Sequence, residues 1–110
     1  MENVQYPVLE VALFRLNENA TDQAVEESLG GITRFLQQQP GFIRWRHASE
    51  PNGMRMDMVE WASLEQAQTA AAKAMQEPAC QPYFAHLDQS GMQFFHFHTL
   101  AVAEAMKTPV

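Results

Sequence analysis

The sequence predicts an α+β fold whose elements run strand, helix, strand, strand, helix, strand. Three observations carry it: short segments rich in strand formers, two stretches with apolar residues at helical spacing behind a hydroxyl cap, and Pro, Gly or Asn at the junctions.

Residues 8–16, Val-Leu-Glu-Val-Ala-Leu-Phe-Arg-Leu, form the first strand and close on Asn17-Glu18-Asn19. Thr21 then caps a helix over about 22–38, in which Val25, Leu29, Ile32 and Leu36 make one stripe. Gly30-Gly31 in its middle costs roughly 1 kcal/mol per glycine relative to alanine, so the helix bends there or another backbone comes close. Pro40-Gly41 ends the helix, and 42–48 alternates aromatic or aliphatic with polar groups as a second strand. Glu50-Pro51-Asn52-Gly53 turns the chain into a third strand over 54–61, paired with the second as a hairpin. Alternation puts Met54, Met56 and Met58 on one face, as a core or an adaptable pocket wall.

Ser63 with Gln66 makes a capping-box pattern, and Leu64, Ala67, Ala71 and Ala74 supply the inner stripe of a second helix. So many alanines let that helix lie close to the sheet and leave room for a ligand beside it. Glu77-Pro78 stops it, 79–87 adds a short helical turn, and 93–100 is the last strand. This order is that of a split βαβ unit, the ferredoxin-like βαββαβ arrangement, with both helices on one face of a four-stranded antiparallel sheet. The expectation is one domain over 1–110, with its core in 8–100 and an amphipathic tail in 101–110.

Strand one is apolar on both faces, Leu9, Val11 and Leu13 against Val8, Ala12 and Phe14, and strand four sets Phe95 and Phe97 against Phe94 and Leu100. Helices on one side leave the other apolar face bare, which predicts a homodimer built across it. The chain has 110 residues, 46% of them apolar, and a formal charge of −6 from seven Lys and Arg against thirteen Asp and Glu, which argues against nucleic acid as a partner. No apolar run is long enough to span a membrane, and Met1-Glu2-Asn3-Val4-Gln5 lacks the pattern of a secretory signal, so a cytoplasmic protein is expected. The lone Cys80 fits a reducing compartment and a structural role.

Pro40-Gly41-Phe42 opening strand two, Val59-Glu60-Trp61-Ala62-Ser63-Leu64-Glu65-Gln66-Ala67 at the strand-three exit, and Glu77-Pro78 with Phe84 converge on one pattern. With them the chain resembles, over about 8–100, the antibiotic biosynthesis monooxygenase-like group of the dimeric α/β-barrel superfamily. The resemblance implies two sheets facing each other across a dimer, with a pocket in each subunit between sheet and helices. It implies either an oxygenase that oxidises a small aromatic or quinol-like substrate with no cofactor, or a relative of enzymes that bind and degrade haem. The haem-degrading type uses an asparagine on strand one and a tryptophan on helix two. Counting from Thr21 and Trp61 puts those places at Leu13 and Ala70, which disfavours haem.

On that reading His86 handles the phenolic proton, and Leu13, Phe35, Leu36 and Ala70 line the apolar pocket. The bland alternative for His86 is a helix cap or a surface position. A second function, from another class, is a non-catalytic dimeric binding or regulatory module for a hydrophobic metabolite.

Further signals stand apart from the resemblance. His96 and His98 share a strand face and, with Glu10 of the neighbouring strand, could begin a metal site; otherwise they are polar residues at the barrel interface. Trp45 and His47 share a face of strand two, either as dimer contacts or as a platform for a flat ligand. Asp57, set among methionines, needs a partner if buried, for which Arg55 and Arg46 are candidates, or else it is a solvated strand-edge charge. No phosphate loop, nucleophile elbow or paired-cysteine motif occurs in the chain.

Overall fold

The computed structural model describes residues 6–106. Its elements run β1 Val8–Leu16, α1 Asp22–Gln37, β2 Phe42–Ser49, β3 Arg55–Trp61, α2 Leu64–Gln76, a 3-10 turn Pro78–Cys80, α3 Gln81–Phe84 and β4 Leu87–His98. The sheet is antiparallel with strand order β2-β3-β1-β4, the predicted ferredoxin-like topology. Both caps form as expected. Thr21 Oγ1 accepts from Ala24 N at 3.1 Å, and Ser63 Oγ accepts from Gln66 N at 3.1 Å while its hydroxyl donates to Gln66 Oε1 at 3.2 Å.

The glycine pair in α1 has its cause in a close approach. A Cβ on Gly31 would collide with the carbonyl oxygen of Ala79, so the turn after α2 packs directly onto the helix there. Gly41 has φ of 83°, which lets the chain reverse between α1 and β2 beneath the Gln66 side chain.

The last strand begins earlier than its propensities suggest. Asp88, Gln89, Ser90 and Gly91 are poor strand formers, yet Arg15 pairs with Asp88 and Leu16 with Leu87 beyond a register shift that places extra residues on β4. The predicted tail carries no helix or strand over 101–106, and its remainder lies outside the described residues.

Register assigns every strand side chain to a face. Val8, Glu10, Ala12 and Phe14 of β1 point toward the helices, opposite Trp61, Val59, Asp57 and Arg55 of β3. There Phe14, Trp61, Tyr83, Val25 and Cys80 are fully buried, and Ile32, Phe35, Leu36, Ala67, Ala70 and Ala74 complete the core with α1 and α2. The other face carries Leu9, Val11 and Leu13, with Met56 and Met58 on one side and Phe95 and Phe97 on the other. No element among the described residues covers it: Phe97 is 50% exposed, and its ring stacks on Phe95 at 5.5 Å.

Candidate functional site

Between the sheet and the helices lies an apolar cavity of about 380 Å³, large enough for a small organic ligand. Ile32, Phe35 and Leu36 of α1 and Ala70, Ala71, Ala74 and Met75 of α2 form its roof, and Ala12, Val59, Trp45 and Trp61 much of its floor. The alanines create the space: with no side chain beyond Cβ, α2 cannot fill the volume over β1 and β3. Only a few polar groups reach the lining, chiefly Asp57, Glu10, Gln89 and the Tyr83 hydroxyl.

Asp57 is the most heavily bonded of them. Its Oδ1 accepts from Trp45 Nε1 at 3.2 Å and lies 2.8 Å from His47 Nδ1, and its Oδ2 accepts from the Tyr83 hydroxyl at 2.5 Å. Arg55 Nη1 stands 3.0 Å from His47 Nε2. Arginine has only donors, so Nε2 must accept and the imidazole proton sits on Nδ1, facing the carboxylate. Arg55 also donates to Asp22 of α1. The chain of contacts thus runs from the exposed Asp22 through Arg55 and His47 to a carboxylate in the cavity wall. Burial, then the nearby Asp57 carboxylate, pushes the Tyr83 phenol far above its ordinary value, so it remains a donor.

Glu10 is the second carboxylate of the lining. It faces His96 across the β1–β4 ladder, with Oε2 2.8 Å from His96 Nε2. Burial raises its pKa, and the bond and charge of His96 only partly offset that. The Trp61 indole approaches the same carboxylate without reaching hydrogen-bond geometry, which leaves its buried N–H unpartnered.

The structure sorts the predicted site residues. Phe35, Leu36 and Ala70 line the cavity. Leu13 does not, because it is odd in the β1 alternation and points to the uncovered face, opposite Met56 and Gln93. His86 also lies elsewhere, beside a shallow depression with Asn17, Glu18 and Asn19. The single turn of α3 sends Tyr83 inward, and His86 comes where the chain leaves that turn, with its backbone tied to Tyr83 and Asn17.

Trp45 and His47 face the helices, not a dimer contact, because they pair with Val59 and Asp57 on the covered side. Asp57 is no strand-edge charge, and neither expected arginine bonds it: Arg46 is exposed opposite Met58, and Arg55 reaches it only through His47. His96 likewise lies on the helix side rather than at a barrel interface. His98 stays two residues away opposite Val8, and among the described residues no three His, Cys, Asp or Glu side chains gather as a metal site. Cys80 is buried, and its thiol is pushed up to about 11 chiefly by that burial, so it stays a thiol at neutral pH.

Tyr83 is a cavity-lining partner of Asp57 that sequence reasoning did not single out. Its only signal was an aromatic pair, Tyr83-Phe84, in a short helix, and only the closing of α3 over β2 shows which ring reaches the sheet.

The fold and cavity define an α+β sandwich of one antiparallel sheet under two helices, with a ligand-sized space between the layers. No family model matches the sequence, and no curated protein matches it. Solved structures do. The chain is similar to SnoaB, a cofactor-independent oxygenase from Streptomyces nogalater, with a TM-score of 0.71 at 17% identity over 87% of this chain and 95% of that one. It is similar also to the ActVA-Orf6 monooxygenase of Streptomyces coelicolor, solved in complex with nanaomycin D, with a TM-score of 0.68 at 15% identity over 91% and 93% of the two chains. A third is a dimeric ferredoxin-like protein of unknown function from Thermobifida fusca, with a TM-score of 0.67 at 14% identity over 90% and 99%. The chain shares the ferredoxin-like fold of these proteins.

Proposed function

We propose that the protein is a cofactor-independent monooxygenase that oxidises a small aromatic or quinol-like substrate in the apolar cavity, with Asp57 rather than His86 as the group that takes the phenolic proton. The observation that carries this is the convergence of Trp45, His47 and Tyr83 on one carboxylate in the wall of an otherwise apolar space. Those three donors leave room on Oδ2 for one more, since a carboxylate offers about four acceptor sites. A phenol donating there does so in a dry environment, where electrostatic interactions are strong. Once the proton has moved to Asp57, the ring anion bonds to dioxygen through a carbon that bears hydrogen, and the peroxide anion takes the proton back from Asp57. The resulting hydroperoxide loses water, made from that C–H hydrogen and the outer O–H, to leave a carbonyl. The substrate supplies all the electrons, so no metal or flavin enters the balance. His47 and Arg55 position the carboxylate and are not themselves in the lining.

Oxygen uptake with a naphthohydroquinone, measured above the uncatalysed rate, tests the reading. Asp57→Asn should lower the rate by about 100-fold or more, as expected for loss of a general base, while His86→Ala leaves it unchanged. Uptake that survives Asp57→Asn removes the base assigned here. A second reading, a non-catalytic module that only holds a hydrophobic metabolite, is favoured by the three side chains that already bond Asp57 and give it a structural role. It predicts thermal stabilisation by the quinol without oxygen consumption.

The same proposal includes a cytoplasmic homodimer closed across the uncovered sheet face, because Leu9, Val11, Leu13, Phe95 and Phe97 share a face that no element among the described residues covers, and contiguous apolar faces of this kind mark interfaces. Val11→Asp, at its centre, should give a monomer by sedimentation; a wild-type chain that already sediments as a monomer refutes this part.

A further inference from the structure

The cavity floor is built twice from the same parts. Two carboxylates line it, each backed by a histidine that does not, Asp57 by His47 and Glu10 by His96, both at 2.8 Å, and each flanked by a lining tryptophan, Trp45 and Trp61. In the β1–β3 ladder Glu10 opposes Val59 and Asp57 opposes Ala12, so the two acids are diagonal neighbours on one face, with Cα atoms about 7–8 Å apart. They differ in satisfaction. Asp57 takes the Trp45 indole N–H in a formed hydrogen bond, whereas the Trp61 indole N–H, in a residue only 1% exposed, approaches Glu10 without reaching hydrogen-bond geometry.

An unpartnered buried N–H beside a carboxylate suits a group that can accept from the one and donate to the other, and a hydroxyl does both. We infer that Glu10, Trp61 and His96 form a second polar station that binds a ligand hydroxyl, so that the cavity selects an aromatic diol over a monophenol. Glu10 and Trp61 touch the ligand there, and His96 positions Glu10. The inference rests on the cavity being the substrate site, as proposed above, and adds that the substrate is anchored at two ends. A ligand held at both stations lies flat along the floor, beneath the alanines of α2, with its apolar faces against Val59 and Phe35.

The test is anaerobic binding of a naphthalenediol with its hydroxyls on opposite rings and of the matching naphthol. Wild-type protein should bind the diol about tenfold tighter or better, the return expected from one further hydrogen bond to a charged group. Glu10→Gln should abolish that preference, so that the diol binds the variant no more than about twofold tighter than naphthol binds the same variant. If Glu10→Gln does not fold, His96→Gln should reduce the preference in the same way. A diol preference that persists in both variants, or that is absent from wild type while naphthol binds, overturns the second station and leaves the cavity reading intact. Binding of neither compound to wild type overturns both.

Discussion

Asp57 and Glu10 are acids of the same sheet face, lining the same cavity with similar burial, yet they stand in opposite conditions. Asp57 has three side-chain donors, two on one oxygen and one on the other, and through His47 and Arg55 it is tied to α1. Glu10 has one observed bond, to a histidine at the edge of the sheet, and an indole that stops short of it. The difference shows that a buried carboxylate can serve structure and chemistry unequally. Asp57 is the hub that orients Trp45, His47 and Tyr83, and its removal strands all of them. Glu10 carries a desolvation cost that the fold leaves partly uncompensated, and a ligand hydroxyl donating to it would offset that cost.

The largest effect that would sharpen this contrast is on stability. Asp57→Ala should cost about 3–5 kcal/mol in urea unfolding, because buried donors lose their acceptor, whereas Glu10→Ala should cost about 1 kcal/mol or less. Equal losses would mean that the two acids carry the same structural weight and would break the comparison.

A smaller effect should appear in the pH dependence. The folded pKa of Glu10 is raised above its ordinary 4.5, so just above that pH the folded chain still holds a proton that the unfolded chain has lost. Stability contributed by this group therefore falls as pH rises through that window and is level above it. Glu10→Gln should remove this slope from urea titrations at successive pH values. A mutant curve that runs parallel to wild type across the window would mean that the carboxylate is not held in the desolvated state assigned to it.

Much of the scaffold was legible because it is written in local terms. Thr21 and Ser63 were recognisable as caps from their own residue type and the apolar spacing of the helices behind them, and Pro40-Gly41 marked a boundary because proline and a positive φ dictate it wherever they occur. The two-sided apolarity of β1 likewise foretold an uncovered face. The candidate site was legible only in part. Phe35, Leu36 and Ala70 were found, whereas Leu13 was misplaced by counting along a strand, where an error of one residue moves a side chain to the other face. His86 was chosen for its chemistry, but a one-turn helix gives no periodicity from which its direction can be read.

The sequence by itself determined the order of the elements, the caps and turns that bound them, the alanine face that leaves a cavity, and an excess of apolar strand surface. Each depends on residues close together in the chain. Only the tertiary structure decided that Tyr83, His47 and Trp45 meet at Asp57, that Glu10 faces His96, and that Asp88 and Gln89 extend the last strand. Those contacts join residues far apart in sequence. Their geometry is fixed by strand register and by the seating of α3 on the sheet, and neither leaves a trace in the local pattern.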